Sequence, residues 1–568
     1  MTELLRIRDL HVSIGSKALI HGLNLHLDAG ETLALVGESG CGKSTTALTI
    51  AGLLPRNGRA SGQVVLDGED LLQLNGKALR RKQGKNLAMI FQEPLSSLNP
   101  VMSVGDQIGE LLLTHTTLNH GERQRRITEL IDLVQLPDAS RLIRRYPHEL
   151  SGGQRQRIMI AMAIACNPRL LIADEPTTAL DVTTQARILS LLDSLRDELQ
   201  MGLLLITHDL GVVSERADRV AVMHGGRILE ENTTTALFSR PQHDYSRGLL
   251  GASLRKDEPR HYQQQRLPEI RILQRHDGSL DYRLHTPPRM IETGGRQKLP
   301  GHREAPQSPL LRVQQLSKTF NRQSDAVPAV NQVSFDLYRG ETLGLVGQSG
   351  CGKSTLSKLL LRLLEADSGN ITLDGHDLRA AGSRQLRQLR SQIQMVFQDP
   401  YGSLNPRKRI GDMLDHLQKL HLPLNARQRQ REALRILDAV GLPADTLQRY
   451  PHEFSGGQRQ RIGIARALIL KPSVIICDEA VSALDVSVQA QVLNLLVELR
   501  QEFNLSYLFI SHDLSVVRYI SDRIMVMNQG RILESNRHDV LWRAPQHAYT
   551  RHLIDAIPNW NHSTALAA

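Results

Sequence analysis

Short apolar runs alternate along the chain with longer stretches of helical pattern. The run ETLALVG, which begins at Glu31, leads into a glycine-rich turn, and KSTTALTIAGLL follows it as a predicted helix. Further along, LLIAD and LLLIT are again short apolar runs, and each delivers polar residues at its carboxyl end. This alternation predicts an α/β fold with a mainly parallel sheet, in which ligands bind beyond the strand ends.

The whole pattern occurs twice. The segment beginning at Glu31 returns at Glu341 as ETLGLVGQSGCGKSTLSK, and RYPHELSGGQRQRI from Arg145 returns almost unchanged from Arg449. Each copy is longer than about 200 residues, which is far beyond the repeat length of solenoid proteins. The duplication therefore predicts two complete domains in tandem.

Domain boundaries follow from the repeat. We predict a first domain over residues 1–251, a second domain with a C-terminal tail over residues 309–568, and a basic linker over residues 252–308. The linker is rich in Arg, Gln, Pro and Gly and has no sustained apolar period, so we expect a connector. Its pieces EIRILQ and DYRLH flank Asp277-Gly278 and predict at most one small hairpin.

Composition excludes several classes of protein. Among the 568 residues the longest apolar run is the nine residues from Ile158 to Cys166, and the amino terminus, MTELLRIRDL, has no signal-peptide pattern. We therefore expect a chain that stays in the cytosol and does not itself span a membrane. Four cysteines argue against a secreted, bridged fold. The net charge of +10 comes with short basic clusters and no interleaved aromatic residues, which does not favour nucleic acid as a partner.

Each copy contains a glycine-rich loop that fits G-x-x-x-x-G-K-[ST] between a predicted strand and a predicted helix. Main-chain N–H groups and the helix dipole favour phosphate there. Lys43 and Lys353 would reach the β- and γ-phosphates of ATP, while Ser44 and Ser354 would place a hydroxyl on Mg²⁺. The loop residues predicted to bind nucleotide are Gly37, Glu38, Ser39, Gly40, Cys41, Gly42, Lys43, Ser44 and Thr45, and Gly347, Gln348, Ser349, Gly350, Cys351, Gly352, Lys353, Ser354 and Thr355.

An acidic pair follows an apolar run in each copy, as Asp174-Glu175 and Asp478-Glu479. Adjacent side chains on an extended segment point to opposite sides, so the two neighbours can divide two roles. We predict that Asp174 and Asp478 hold the Mg²⁺ shell. Glu175 and Glu479 would polarise the attacking water as general bases.

With these motifs the chain resembles the ATP-binding-cassette (ABC) ATPases across nearly all of both halves. The most specific signal is LSGGQ in the first copy and FSGGQ in the second, each at the start of a predicted helix. In that family this signature faces the phosphate loop of the opposite domain and offers an anion site to the γ-phosphate. The resemblance therefore implies nucleotide contacts from Ser151, Gly152, Gly153 and Gln154, and from Ser455, Gly456, Gly457 and Gln458.

Further site residues are implied by the same resemblance. Gln92 and Gln398 match the family's glutamine loop, which touches Mg²⁺ and water and connects to a helical subdomain. His208 and His512 match the switch histidine, which contacts the γ-phosphate and counts with the glutamates as catalytic. The implied fold of each domain is a P-loop NTPase with a mainly parallel core sheet, an antiparallel β subdomain and a helical subdomain.

One difference between the two copies concerns the residue expected to contact adenine. In the family, adenine usually stacks on an aromatic residue near the first strand, and Phe320 fills that place in the second copy. The aligned residue of the first copy is Ile14. Loss of one aromatic stack costs on the order of 1 kcal/mol, so we expect weaker nucleotide binding at the first site.

Three segments narrow the resemblance: FQ(E/D)P..SLNP, RYPHE(L/F)SGGQRQR and PQH.Y(S/T)R. Together they resemble the dipeptide, oligopeptide and nickel importers, in particular the fused forms with both ATPase halves on one polypeptide. This implies an ATPase that energises import of peptides, glutathione-like compounds or nickel chelates. It also implies two transmembrane permease subunits, an extracytoplasmic solute-binding protein, and a peripheral position on the cytoplasmic face of the bacterial inner membrane.

Two other classes share parts of this pattern. A soluble tandem ABC ATPase that acts on ribosomes as a translation factor typically has a long charged helical connector, which the six prolines of residues 252–308 would break. A DNA-repair ATPase would need large insertions or zinc-binding cysteines, and this sequence has neither. Several importer relatives bind an iron–sulfur cluster through cysteines after the ATPase core; here we expect none, since the cysteines are Cys41, Cys166, Cys351 and Cys477.

Overall fold

The computed structural model describes residues 3–92, 97–136, 138–177, 182–256, 258, 260–274, 280–288, 308–320, 327–482 and 484–557. They divide into two compact units. The first unit contains the described residues up to Leu250 together with Ile272–Leu284. The second unit contains the described residues of Gly251–Arg271 and His285–Ile557.

The elements of the first unit follow the predicted alternation. Its strands are β1 (Glu3–Ile14), β2 (Lys17–Asp28), β3 (Thr32–Val36), β4 (Gly58–Leu66), β5 (Glu69–Asp70), β6 (Leu87–Ile90), β7 (Leu170–Asp174), β8 (Gly202–Ile206), β9 (Arg219–His224) and β10 (Arg227–Thr233). The helices in this part of the chain are α1 (Lys43–Ile50), α2 (Gly76–Lys82), α3 (Val104–His115), α4 (His120–Leu133), α5 (Ala139–Leu142), α6 (Gly152–Ile164), α7 (Val182–Leu199), α8 (Leu210–Arg216), α9 (Thr234–Ser239) and α10 (Asp244–Ala252).

Two sheets organise the described part of this unit. The core sheet has the order β10-β9-β3-β8-β7-β6, in which all neighbours run parallel except β10 on β9. The second sheet, β2-β1-β4-β5, is antiparallel. Helices α3 to α6 and their neighbours form a separate apolar cluster with residues of the core sheet. The predicted parallel core with antiparallel and helical subdomains is thus confirmed.

Two short strands lie between the repeats, at β11 (Glu269–Gln274) and β12 (Leu280–His285). They form a two-stranded sheet, which confirms the predicted hairpin. Its predicted turn at Asp277-Gly278 falls outside the described residues.

The second unit repeats the first element by element. Its strands are β13 (Leu311–Lys318), β14 (Val330–Leu337), β15 (Thr342–Val346), β16 (Ser368–Leu373), β17 (His376–Asp377), β18 (Ile393–Val396), β19 (Val474–Asp478), β20 (Ser506–Ile510), β21 (Arg523–Asn528) and β22 (Arg531–Arg537). Its helices are α11 (Lys353–Leu360), α12 (Ser383–Gln392), α13 (Pro400–Ser403), α14 (Ile410–His421), α15 (Ala426–Ala439), α16 (Gly456–Leu468), α17 (Val486–Glu502), α18 (Leu514–Ile520), α19 (His538–Arg543) and α20 (Ala548–Asp555). The described strands again give a core sheet, β18-β19-β20-β15-β21-β22, and an antiparallel sheet, β14-β13-β16-β17.

The sequence explains the burial of the central strands and the position at which α1 ends. Every residue of β3 and β7 is buried, as expected for central parallel strands covered on both faces. The helix after the first glycine-rich loop is shorter than predicted. It ends at Ile50, whereas the sequence pattern predicts that it continues through Leu54. Gly52 follows it in the left-handed region, with a φ of 66°, and this conformation ends a helix.

Residues 260–267, which we call the strap, pack within the second unit. His261, Tyr262 and Leu267 are only 3%, 6% and 1% exposed. The Asn494 side chain accepts a hydrogen bond from the Leu267 N–H at 3.2 Å and donates one to the Leu267 carbonyl at 2.8 Å. This part of the predicted linker is therefore built into the unit, which its polar composition did not indicate.

Helix length and polarity bear on membrane insertion. Within the described ranges, no helix is both long enough and apolar enough to cross a bilayer. Two of the longer helices, α4 and α15, begin at asparagine caps and carry many charged side chains.

Candidate functional site

The first glycine-rich loop turns tightly between β3 and α1. A side chain at Gly37 would place its Cβ 2.0 Å from the carbonyl oxygen of Met223, so only glycine fits there. The Lys43 ammonium donates hydrogen bonds to the carbonyl oxygens of Gly37 at 2.7 Å and Glu38 at 2.9 Å. In the second unit, Lys353 makes the same two bonds at the same distances. Both loops therefore hold a buried cation at the start of a helix, where phosphate binds in such loops.

A buried carboxylate ends the neighbouring strand. Asp174 is 5% exposed, and its Oδ1 has no hydrogen-bond partner among the described residues. Burial raises the pKa of Asp174, while a hydrogen bond with Ser44 opposes the rise. An uncompensated oxygen beside a hydroxyl is the kind of donor set that suits a divalent cation.

The second unit has the matching pair. Asp478 Oδ1 lies 3.4 Å from the Ser354 hydroxyl, and its Oδ2 accepts a hydrogen bond from Ser357 at 3.1 Å. Burial raises the pKa of Asp478, and the Ser357 hydrogen bond works against that rise. Ser and Asp therefore meet in both units, as their sequence positions predicted.

Two predicted residues, Gln92 and His208, converge on the Glu175 carboxylate in the first unit. Gln92 Nε2 donates a hydrogen bond to Glu175 Oε2 at 2.7 Å, and His208 Nδ1 lies 3.4 Å from Glu175 Oε1. Burial by itself would lower the pKa of His208, but the hydrogen bond and charge of Glu175 outweigh it and raise that pKa. The three residues come from different loops of the sheet edge, so the fold alone assembles them.

The same arrangement occurs in the second unit. Gln398 Nε2 donates to Glu479 Oε2 at 2.7 Å, and His512 Nδ1 lies 3.4 Å from the same carboxylate oxygen. Burial would raise the pKa of Glu479, but the hydrogen bond and charge of His512 hold it below the usual range. Duplication has preserved the contacting residues and the two distances, while the histidine lies nearest a different carboxylate oxygen relative to the glutamine.

Backbone conformation at the glutamates is unusual. Glu175 has a φ of 48° and Glu479 a φ of 51°, both in the left-handed region. Each N–H donates to a neighbouring strand, to Ile206 O and Ile510 O respectively, at 2.9 Å. The chain therefore changes direction directly after the buried aspartate, and adjacent residues occupy different environments as predicted.

The two signature segments sit at helix starts. Ser151 caps α6, its Oγ accepting the Gln154 N–H at 3.3 Å, and Ser455 caps α16 through Gln458 at 3.4 Å. All of Ser151, Gly152, Ser455 and Gly456 are exposed. The pairing of each signature with the opposite phosphate loop stays a prediction.

The predicted adenine positions differ in exposure. Phe320 is 60% exposed, whereas Ile14 is half-buried at the end of β1. An exposed aromatic ring is available for stacking, and an aliphatic side chain offers no such face. Among the described residues no group of three or more His, Cys, Asp or Glu side chains is placed to hold a metal ion by itself.

Sequence reasoning missed one contact to the phosphate loops. The Tyr245 hydroxyl accepts the N–H of Glu38 at 3.2 Å, and the Tyr549 hydroxyl accepts the N–H of Gln348 at 3.2 Å. Both tyrosines belong to the repeated tail segment PQH.Y. Its repetition after each ATPase core was the available signal.

Fold and site together define a protein with two phosphate-loop NTPase units. The sequence pattern of the ABC transporter family matches residues 20–178 and 330–482. The pattern of the oligopeptide/dipeptide transporter C-terminal region matches residues 229–278 and 533–567. The chain belongs to the ABC transporter ATP-binding proteins, in the oligopeptide/dipeptide class, and it hydrolyses ATP.

Relatives that match along nearly the whole chain are ATP-binding proteins of importers. The chain is 44% identical over 559 residues to the glutathione import ATP-binding protein GsiA of Pectobacterium atrosepticum, covering 95% of this chain and 86% of that protein. It is 45% identical over 561 residues to GsiA of Escherichia coli K12, with the same coverage. These matches support the importer interpretation, and none supports the ribosome-bound alternative.

Solved structures of single cassettes are also similar. A dimeric ATP-binding cassette in a post-hydrolysis state with ADP and phosphate is 25% identical, with a TM-score of 0.37, over 40% of this chain and 98% of that one. A component of an ABC transporter complex from Clostridium perfringens is 26% identical, with a TM-score of 0.38, over 44% of this chain and 100% of that one.

Proposed function

We propose that this chain energises the uptake of glutathione or another short peptide. The observation that carries this proposal is the 44–45% identity to glutathione import ATPases over 95% of the chain. The match to the oligopeptide/dipeptide transporter tail after both ATPase cores supports the same cargo class. Dipeptides, longer peptides and nickel chelates are the competing cargoes.

The proposed chemistry is hydrolysis of ATP at both sites. Glu175 and Glu479 accept a proton from the attacking water, and Gln92 and Gln398 hold each carboxylate through the 2.7 Å hydrogen bond. A depressed pKa keeps Glu479 ionised and able to accept that proton. His208 and His512, held 3.4 Å from the glutamates, are placed to contact the γ-phosphate.

A magnesium ion fits the residues beside each phosphate loop. Ser44, Asp174 and Gln92 would hold it in the first unit, and their counterparts in the second are Ser354, Asp478 and Gln398. The buried Oδ1 of Asp174, which has no hydrogen-bond partner among the described residues, supports this assignment. When bound, the ion neutralises charge on the β- and γ-phosphates. Lys43 and Lys353 would move from the loop carbonyls to the phosphate oxygens.

We further propose that each signature completes the site of the other unit. Ser455 would act with Lys43 and Glu175, and Ser151 with Lys353 and Glu479. Exposure of both signatures at helix N-termini supports this, since their N–H groups are accessible to an anion. Binding of two ATP molecules would then draw the units together, and hydrolysis would release them.

The proposed partners are two membrane-spanning permeases and an extracytoplasmic solute-binding protein. They place the chain on the cytoplasmic face of the bacterial inner membrane, held there through the permeases. The import ATPases named above support permease partners; the binding protein follows from the peptide class of importer.

Reconstitution tests this function. The chain, the permeases encoded beside it and their binding protein would be placed in liposomes with ATP, and uptake of labelled glutathione measured. We expect uptake that depends on ATP and fails in a chain carrying both Glu175→Gln and Glu479→Gln. Uptake of a nickel chelate with none of glutathione would contradict the proposed cargo. Purification of the chain with ribosomes instead of permeases would contradict the importer role.

A further inference from the structure

An aromatic cluster connects the linker hairpin to the first phosphate loop. The Tyr282 hydroxyl, on β12, lies 2.8 Å from His224 Nδ1 at the end of β9. Its ring meets the rings of His224, His243 and Tyr245 at centroid distances of 5.3, 5.2 and 5.6 Å, each at a steep angle. Edge contacts of this kind are favourable and directional.

The cluster ends on the loop itself. His224 and Tyr245 have ring centroids 4.9 Å apart, and the Tyr245 hydroxyl accepts the Glu38 N–H. His224 Nε2 also lies 3.8 Å from Glu38 Oε2. Burial and the neighbouring His243 lower the pKa of His224, so this ring is neutral at physiological pH. The carbonyl oxygen of Glu38 in turn accepts from the Lys43 ammonium, so one peptide segment of the loop joins the cluster to the phosphate-binding lysine.

The second unit offers an internal control, because it repeats the tail and the tail's contact with the phosphate loop, whereas the linker sequence occurs once. Tyr549 contacts Gln348 as Tyr245 contacts Glu38. However, the residue in the place of His224 is Asn528, and Tyr549 is half-buried whereas Tyr245 is 0% exposed. The linker hairpin therefore contacts His224 and Tyr245 beside the first loop, and their counterparts in the second unit are Asn528 and Tyr549.

We propose that Tyr282 is a positioning residue for the first ATP site, acting through His224 and Tyr245 on the loop residue Glu38. The linker hairpin thereby sets the nucleotide affinity of the first site and leaves the second site unchanged. This inference rests on the nucleotide sites of the proposed function. It gives the linker a regulatory role toward one half of the ATPase.

The test reads each site separately in the full chain. Lys353→Ala silences the second site and Lys43→Ala the first, and a fluorescent ATP analogue is titrated in each background. We expect Tyr282→Phe to weaken binding at the first site about two- to tenfold, as loss of one hydrogen bond allows, and to leave the second unchanged. Leu284→Ala, at an exposed position of the same strand, should change neither site. Equal affinities in wild type and Tyr282→Phe would overturn the proposal, as would an equal loss at both sites.

A double-mutant cycle distinguishes positioning from a general effect on folding. His224→Asn installs the residue of the second unit, and in that background Tyr282→Phe should cost little more. Additive losses in affinity from Tyr282→Phe and His224→Asn would contradict action through His224. The cycle uses Tyr282→Phe, so its result stands even if Tyr282→Ala unfolds the hairpin. A wild-type chain that bound no analogue at either site would instead contradict the proposed nucleotide sites themselves.

Discussion

Matching faces of the two units differ in what covers them. In the first unit the Asp218 side chain is 59% exposed, and Arg196 lies 3.9 Å from it. In the second unit Asp522 is 12% exposed and Arg500 lies 2.9 Å away, because the strap lays Tyr262 across the pair. Both aspartates accept the same N–H of a core strand, from Thr32 or Thr342 at 2.8 Å.

This comparison shows where two copies of one domain diverge. Residues proposed to act on ATP were duplicated, and Gln92 and Gln398 bind their glutamates at the same distance. The linker occurs once, and its packed parts are divided between the units: the hairpin's Tyr282 in the first, the strap in the second. Part of the difference between the halves therefore comes from the unduplicated segment.

The largest expected effect is on ATP hydrolysis, and it tests whether the duplicated glutamates have the same role at both sites. Glu175→Gln and Glu479→Gln should each lower the rate of ATP hydrolysis at their own site at least about a hundredfold, as loss of a general base does. Single-turnover hydrolysis with one site silenced measures this. A glutamine variant that hydrolysed ATP at the wild-type rate would contradict the assigned role at that site.

The strap should make the second unit sensitive to acid. Burial, followed by the nearby His538, lowers the pKa of His261 to about 4, while Asp522 and a hydrogen bond to Ser521 O work against this. The ring is neutral when folded, so below about pH 6.5 only the unfolded chain gains the proton. Stability is therefore lost as pH falls from about 6.5 to 4, on the order of 2–3 kcal/mol for this group.

Tryptophan fluorescence measures this loss, because Trp542 lies in the second unit. We expect the unfolding midpoint in urea to fall with acid in wild type and to fall less in His261→Phe. Equal acid sensitivity in the two chains would show that His261 does not titrate between folded and unfolded states.

Loss of the side chain that anchors the strap should destabilise the protein more than the matching substitution in the first unit. Asn494 is 1% exposed and holds both polar groups of Leu267, so Asn494→Ala should cost about 1–3 kcal/mol of unfolding free energy. The matching residue in the first unit, Ser190, is exposed, and Ser190→Ala should cost less than about 0.5 kcal/mol. Calorimetry of both variants checks the difference, and equal costs would contradict the anchoring role.

The smallest expected effect is a difference in nucleotide affinity that comes from the residue predicted to contact adenine. Nucleotide should bind the first site up to roughly tenfold more weakly than the second, because Phe320 offers a ring face and Ile14 does not. Ile14→Phe should tighten the first site. If titrations with one lysine silenced gave equal affinities that Ile14→Phe did not move, another group would have to cover adenine there.

Local chemistry decided how much could be predicted from sequence. The phosphate loops, the Asp-Glu strand ends and the parallel sheet follow from short motifs, whose residues act within a few positions of one another. The strap and the Tyr282 cluster could not be predicted, since Tyr262 meets Asp522 from 260 residues away and Tyr282 meets His224 from 58. Long-range packing of polar residues leaves no periodic pattern in the chain.

Left-handed backbone at Glu175 and Glu479 has a consequence for selection. That conformation costs a residue with a side chain roughly 1 kcal/mol, and glycine adopts it freely. Glu175→Gly should therefore lose hydrolysis and yet unfold at a higher temperature than Glu175→Ala. A duplicated copy released from its task would gain stability by drifting to glycine. Both copies have glutamate there, as expected if each still carries out the proposed chemistry.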